Sequence, residues 1–182
     1  MDFSVLIKQR KEIGQTMAIN RGLEMAHLFN YAGAPWLTQK WVRKVKAAYS
    51  DVTPYGGYRD DEDQGQMGAL GVLMAIGLFE VDGGCAEKPF YEITSPLFDK
   101  VTIHLDNRYY PGKTFQIITV GNSADNMYIQ RASFNGKKWN KCWFYHEDFI
   151  KGGTLELQLG TTPNKKWGIE EFPPSSVSSD KD

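Results

Sequence analysis

The sequence has few of the features that identify metal-binding, nucleic-acid-binding or membrane-spanning proteins. It contains two cysteines, Cys85 and Cys142, which fit no metal-site spacing and could form a disulfide or stay as two free thiols. The formal net charge of −1 argues against a nucleic-acid partner held by bulk charge. The apolar run at residues 67–79 is shorter than the roughly 20 residues of a bilayer-spanning helix, so we expect a buried helix and no membrane partner.

We also expect no secretory signal peptide at the N-terminus of this sequence. Its apolar run covers only residues 3–7, and a basic segment follows. Lysine and arginine gather between Lys40 and Lys46, but they alternate with Trp41, Val42 and Val45. This alternation indicates the solvent-exposed face of an amphipathic helix rather than a phosphate-binding patch.

The first 80 residues predict helices. Residues 23–32 are apolar on nearly every side, which is typical of a helix packed inside something larger. Gly33 would end this helix, and Pro35 would open the next one in its first turn. The second helix has a predicted buried stripe of Leu37, Trp41, Val45 and Ala48. A third helix is predicted from near Asp63 to Phe79, with glycines that let a neighbouring backbone approach.

The residues after Gly84 predict strands. Five segments carry β-formers or alternate in polarity: residues 89–93, 100–105, 114–120, 126–134 and 154–159. The Asn135-Gly136 pair predicts a hairpin turn. The fold class is therefore α+β, with a small antiparallel β region after the helices. Two of the helices are too apolar to be covered by this chain alone, so we expect a piece of a larger helical assembly.

An acidic cluster precedes the third helix: Asp60, Asp61, Glu62 and Asp63. Asp63 and Gln66 match a capping box, in which one acid caps the helix. A cap needs only one carboxylate, and in an extended segment Asp61 and Asp63 project to the same side. Two converging carboxylates can bind a hard cation or deprotonate a water. Both interpretations remain open on the residues alone.

Glycoside hydrolysis generally needs a second carboxyl across the scissile bond. Asp61 and Asp63 are too close in the chain to play both parts. Other acids offer no clear partner: Glu24 lies on a helix, and Glu147 and Asp148 lie in a turn that fits plain surface equally well. The residues therefore predict a carboxylate for only one side of the scissile bond, without its partner on the other side.

Five stretches in order resemble the C-terminal end of glycoside hydrolase family 92, the calcium-dependent exo-acting α-mannosidases. They are GLEMAHLFNYAGAPWLTQKWVRKV from Gly22, DEDQGQMGAL from Asp61, ITSPLFDKVTIHL from Ile93, MYIQRASFNG from Met127 and GGTLELQLGTTPNKKWG from Gly152. The resemblance covers roughly residues 20–169. Ile19-Asn20-Arg21-Gly22 departs from the family's Asn-Glu-Pro turn, and Asp60 stands where glycine is frequent.

The resemblance implies the closing helices of an (α/α)6 barrel and an inverting mechanism. Asp61 and Asp63 fall on the base pair that activates water, Asp63 is also the expected Ca²⁺ ligand, and Gln66 is the expected substrate-binding residue. The substrate would be an α-mannoside glycan. The family's general acid Glu lies upstream, so the implied partner is the missing N-terminal portion of the same enzyme. The family also implies a secreted or periplasmic location.

The resulting domain organisation has four parts. Residues 1–20 are an unmatched N-terminal segment, 21–82 the helical part, 83–170 the C-terminal β region and 171–182 a flexible tail. Because the acid is absent, we expect the chain alone to be inactive. Two alternatives are a non-catalytic carbohydrate-binding or accessory protein, and a gene fragment with no separate role.

Overall fold

The computed structural model describes residues 24–47 and 65–175. A 3₁₀ turn at Glu24–Ala26 is followed by helices α1 (Leu28–Tyr31), α2 (Pro35–Ala47) and α3 (Gln66–Ile76), and α4 (His146–Phe149) lies between two strands. The strands are β1 (Leu78–Phe79), β2 (Phe90–Ile93), β3 (Lys100–His104), β4 (Thr114–Val120), β5 (Tyr128–Phe134), β6 (Lys137–Lys138), β7 (Trp143–Tyr145) and β8 (Gly153–Gly160). The α+β fold class is confirmed.

The strands form two sheets. A three-stranded antiparallel sheet has the order β1-β2-β7, and a five-stranded sheet has the order β3-β4-β8-β5-β6. The prediction of an antiparallel β region is wrong at one pair, because β4 and β8 run parallel. Nothing local in the sequence distinguishes the two pairings, since both bury alternate side chains of each strand.

Two hydrophobic clusters hold the molecule together. The larger joins both sheets and includes Phe90, Phe144, Phe115 and Leu155, all at most 1% exposed. The smaller joins α2 and α3 to β1, and its members include Val42, Val45, Met67, Leu70, Met74 and Phe79. The larger cluster thus holds the two sheets together, and the smaller one holds α2 and α3 to β1.

The predicted helix over residues 23–32 is wrong in its length. The chain forms the 3₁₀ turn and then the single-turn helix α1, and Gly33 ends it in the left-handed region as expected. His27 and Asn30 are buried because they bind a carboxylate of the sheet, while Leu28 is 54% exposed. These polar contacts override the apolar pattern.

The buried stripe of α2 is rotated from the predicted one. Pro35 begins the helix as expected, but the buried side chains are Thr38, Gln39, Val42 and Val45, while Trp41 is partly buried. Ala48 lies outside the described residues. The rotation follows from Gln39, whose Oε1 accepts a hydrogen bond of 2.9 Å from the Ile129 backbone N–H.

Helix α3 ends earlier than predicted. Gly77 stops it with a φ of 80°, and Leu78 and Phe79 continue as strand β1. A Cβ on Gly77 would lie 2.6 Å from the Cγ of Pro96, so this position also needs a residue without a side chain. The stop therefore depends on a close tertiary contact.

The five predicted strands are all present with small shifts in their ends. Asn135 and Gly136 have φ values of 51° and 76°, and Phe134 pairs with Lys137 across a two-residue turn. This confirms the predicted hairpin. The short elements β1, β6, β7 and α4 were not predicted.

Arg43 of α2 ties the helices to two loops of the β region. Its guanidinium donates to the backbone oxygens of Ser95 and Pro96, to the Ser95 hydroxyl and to the Asn122 side chain at 2.6 Å. Within the described residues, no helix is long and apolar enough to cross a membrane. The boundaries of the four predicted parts stay predictions, and residues 1–20 lie outside the described ranges.

Candidate functional site

The predicted base pair lies outside the described residues. Asp61 and Asp63 belong to residues 48–64, which fall between the two described ranges. Helix α3 begins at Gln66, and the residue before it, Gly65, makes no side-chain cap hydrogen bond. The predicted capping box is therefore wrong in register, since a helix beginning at Gln66 places neither Asp63 at the N-cap nor Gln66 at the third position.

Gln66 is the first residue of α3, a helix that is held in place by contacts further along its length. Its side chain is exposed, while the next residue, Met67, is 1% exposed in the helical cluster. At the other end of α3 the Leu97 N–H donates to the Ala75 oxygen at 2.9 Å. The first turn of α3 therefore has a fixed direction, and the acidic segment leads directly into it.

The start of α3 favours negative charge. An eleven-residue helix carries a partial positive charge at its N-terminus, which stabilises nearby carboxylates in their ionised form. Asp61 and Asp63 precede this end in the sequence and lie outside the described residues. Carboxylate and carboxamide oxygens are hard donors, and the donor types in residues 61–66 suit calcium.

Neither acid of α4 supplies a second carboxyl for this segment. Asp148 pairs with Lys151 at 3.0 Å on the surface of the β region, and its side chain is 39% exposed. Glu147 is exposed beside it in the same short helix. Both behave as surface residues.

Sequence reasoning missed a fully buried carboxylate, Glu92 of β2. Its Oε2 accepts hydrogen bonds from His27 Nδ1 at 2.7 Å and from Asn30 Nδ2 at 2.6 Å. The His27 ring stacks on Phe79 with centroids 3.9 Å apart. Glu92 therefore joins α1, β1 and β2 at one point. The available signal was a lone charge in an otherwise uncharged strand, FYEIT.

The environment of Glu92 shifts the pKa values of its neighbours. Burial, reinforced by the Glu92 carboxylate, raises the pKa of Tyr31. Burial also raises the pKa of the Cys142 thiol to about 12, again with Glu92 adding to the effect. Glu92 Oε1 and Asn30 Oδ1 are buried and have no partner among the described residues. Glu92 is 0% exposed, and its hydrogen bonds hold α1 to β2.

A cluster that could bind a metal is absent from the described residues. No group of three or more His, Cys, Asp or Glu side chains in residues 24–47 and 65–175 could hold an ion. Cys85 and Cys142 are two free thiols, the first exposed and the second buried. Of the two states left open for the cysteines, the structure has the reduced one.

Comparison with known proteins identifies the family. The model of the glycosyl hydrolase family 92 catalytic domain matches residues 8–161. A protein of Arthroderma benhamiae, described as an uncharacterized secreted glycosidase, is 36% identical over 153 residues, which cover 81% of this chain and 19% of that protein.

Two solved structures from Bacteroides thetaiotaomicron share the fold. The family GH92 inverting mannosidase BT2199 superposes with a TM-score of 0.74 at 36% identity, covering 84% of this chain and 20% of that one. The GH92 α-mannosidase BT3965, in complex with mannoimidazole, gives 0.75 at 29% identity, covering 85% and 20%. The chain thus spans about a fifth of the length of these relatives. With its order of motifs, its α+β fold and a family match over most of its length, the chain belongs to glycoside hydrolase family 92.

Proposed function

We propose that these residues form the C-terminal part of an inverting, calcium-dependent α-mannosidase that hydrolyses terminal α-mannosides of glycans. The observation that carries the proposal is the family match over residues 8–161, because it includes the acidic segment before α3. The inverting activity in the description of BT2199 and the mannoimidazole bound to BT3965 support this type of substrate and mechanism.

Asp61 and Asp63 act as the water-activating pair. One carboxylate accepts the proton of the attacking water while the other orients that water. Asp61 and Asp63 precede the N-terminal end of α3 in the sequence, and the partial positive charge of a helix N-terminus stabilises carboxylates in the ionised form that a base requires. Gln66 contributes its carboxamide to the sugar from the first turn of the anchored helix.

Asp63 is also the proposed calcium ligand. When bound, Ca²⁺ would supply positive charge for binding the hydroxyls of the mannose. The carboxylate of Asp63 would hold the cation, so that one residue would link substrate binding to water activation. This dual role makes Asp63 more sensitive to substitution than Gln66.

The general acid comes from polypeptide outside these 182 residues. In an inverting glycosidase the two carboxyl groups lie roughly 6.5–9.5 Å apart on opposite faces of the sugar. Asp61 and Asp63 are both in one segment and serve one face. A Glu on the N-terminal portion of the enzyme, in a longer form of this chain or in a separate one, protonates the leaving oxygen.

Helices α2 and α3 are proposed as closing helices of an (α/α)6 barrel. Val72 is an apolar residue of α3, yet its side chain is 61% exposed. A Cβ on Gly65 or Gly71 would meet no atom within 4 Å in the described part of the chain. Small residues and an exposed valine on one helix suit close packing against another backbone. The N-terminal portion of the enzyme is the proposed partner for this surface.

The proposed location of the complete enzyme is outside the cytoplasm, secreted or periplasmic. The support is the relative described as a secreted glycosidase. In that location the enzyme would share a compartment with glycans that carry terminal α-mannosides.

The test is hydrolysis of an α-mannoside in the presence of Ca²⁺. We expect the 182-residue chain alone to show little or no turnover, because losing one member of an acid/base pair typically costs about 10²–10⁴-fold. Joined to the N-terminal portion of a family member, the chain should become active, and Asp63→Asn should abolish that activity. Asp125→Asn, an exposed acid of the β region, is the matched control.

Robust turnover by the chain alone that Asp63→Asn abolishes would contradict the proposed division of the site. The alternative, a non-catalytic carbohydrate-binding or accessory protein, is favoured by the missing acid. Calorimetry with mannose and Ca²⁺ separates the two, since binding heat without turnover in the joined form supports the accessory role.

A further inference from the structure

A polar groove lies on the outer face of the five-stranded sheet, in the β region and away from the acidic segment. Its volume is about 840 Å³, within the roughly 300–1,000 Å³ of ligand sites. The lining includes Gln130 and Arg131 of β5, Glu156 and Gln158 of β8, and Asn140 and Asn164 of the adjoining loops. The other side of the same sheet faces the hydrophobic core.

A β-bulge places two consecutive polar side chains in this groove. The register between β5 and β8 shifts between Ile129 and Arg131. Ile129 and Ala132 are both buried, and the two residues between them, Gln130 and Arg131, both line the groove. A regular strand would have turned one of them into the core. Bulges re-aim side chains and are over-represented next to functional sites.

Hydrogen bonds fix the amide side chains of the groove in place. Gln130 Nε2 donates to the backbone oxygens of Tyr128 at 3.0 Å and Thr162 at 2.8 Å. Asn164 Nδ2 donates to the Gln130 backbone oxygen at 2.9 Å, and Asn140 Nδ2 donates to Glu170 Oε1 at 2.6 Å. These groups lose little conformational freedom when a ligand binds, which favours affinity.

Between the fixed amides lie groups with unused hydrogen-bonding capacity. Arg131, Glu156 and Gln158 are exposed, and within the described ranges their side chains form no hydrogen bond or ion pair. Arg131 lies opposite Gln158, and Glu156 lies opposite Ser133 on the neighbouring strand. A guanidinium, a carboxamide and a carboxylate are thus presented side by side.

We propose that this groove binds a neutral oligosaccharide segment of a glycan, at a site separate from the hydrolytic one. Neighbouring sugar hydroxyls both donate and accept, so they can bridge a guanidinium and a carboxylate that are not paired with each other. The charged lining includes both signs, with Arg131, Lys138 and Lys166 against Glu156 and Glu170, which does not favour an anion. Peptide ligands bind through apolar pockets or sheet edges, and this lining is an open, mostly polar face.

The test is an NMR titration of the ¹⁵N-labelled full chain with a neutral α-linked mannotriose. We expect saturable shifts of the backbone amides of Arg131, Ser133 and Gln158. Arg131→Ala and Glu156→Gln should each weaken binding about tenfold, because the first removes a charged donor and the second replaces a charged acceptor with a neutral one. Thr102→Ala, on exposed β3 outside the groove, is the matched control and should bind as the parent does.

Three results would overturn the proposal. The first is the absence of saturable shifts in a chain whose spectrum is that of a folded protein. The second is binding that Arg131→Ala and Glu156→Gln leave unchanged. The third is inorganic phosphate shifting the same amides and displacing the mannotriose, which would make the groove an anion site. None of these outcomes depends on hydrolysis, so the site can be judged independently of the proposed activity.

Discussion

The Glu92 carboxylate accepts hydrogen bonds from two side chains of the helical part, His27 and Asn30, and is itself 0% exposed. A carboxyl group is buried at acceptable cost only when it is hydrogen-bonded. The contact therefore stabilises one particular placement of α1 on β2, and a sliding of α1 along the sheet would leave three polar groups unpaired.

Replacing Glu92 tests this interpretation at the scale of one residue. Glu92→Ala should lower the free energy of unfolding by about 2–5 kcal/mol, because two buried donors lose their acceptor. Urea unfolding of the chain measures the change. The control is Glu147→Ala, an exposed glutamate, which should change stability by less than about 0.5 kcal/mol. An equal effect of both substitutions would contradict the structural role of Glu92.

Cys142 makes stability depend on alkaline pH. Burial raises the pKa of its thiol to about 12, whereas an unfolded thiol ionises near 8.5. The folded state therefore holds a proton that the unfolded state loses, so this contribution is complete below about pH 8.5 and is lost as the pH rises towards 12. Between pH 8 and pH 10 the loss should be about 2 kcal/mol.

Urea unfolding at these two pH values, under reducing conditions, measures the effect. Cys142→Ala should remove most of the difference between pH 8 and pH 10, while Cys85→Ala, which removes the exposed thiol, should retain it. A pH dependence unchanged by Cys142→Ala would assign it to other groups, such as the tyrosines whose pKa values burial also raises.

At the scale of elements, two glycines of α3 and its C-terminal end should respond to substitution by alanine with opposite changes in stability. Gly77→Ala should destabilise the chain by about 1–3 kcal/mol, because the position has a φ of 80° and the new Cβ would lie 2.9 Å from the Pro96 nitrogen. Gly71→Ala, inside the same helix with nothing near the new Cβ, should stabilise it by about 0.5–1 kcal/mol. Thermal unfolding compares them, and opposite signs are required.

At the scale of the whole molecule, a substitution on the exposed side of α3 should affect the isolated chain and the joined protein differently. Val72→Asp should leave the stability of the chain within about 0.5 kcal/mol, since this side chain is 61% exposed. Joined to the N-terminal portion, the same substitution should abolish assembly or activity, because it would bury an unpaired charge in the proposed barrel. Activity and gel filtration of the joined protein measure this, and full activity would contradict the barrel contact.

Much of the fold was predictable because its signals are local. Alternating side chains predicted five strands, Asn135-Gly136 predicted the hairpin, and Gly33 and Pro35 marked the end and start of two helices. Each of these depends on backbone preferences within a few residues. For the site, the roles of Asp61, Asp63 and Gln66 come from the family resemblance and stay predictions, with the two aspartates outside the described residues.

The sequence by itself determined the α+β class, the strand positions and, through the order of its motifs, the family. Only the tertiary structure decided the parallel pairing of β4 with β8, the early end of α3 against Pro96, and the burial of Glu92 between His27 and Asn30. The physical reason is distance along the chain: these contacts join residues far apart in sequence, so their free energies depend on how the elements pack and not on any local pattern.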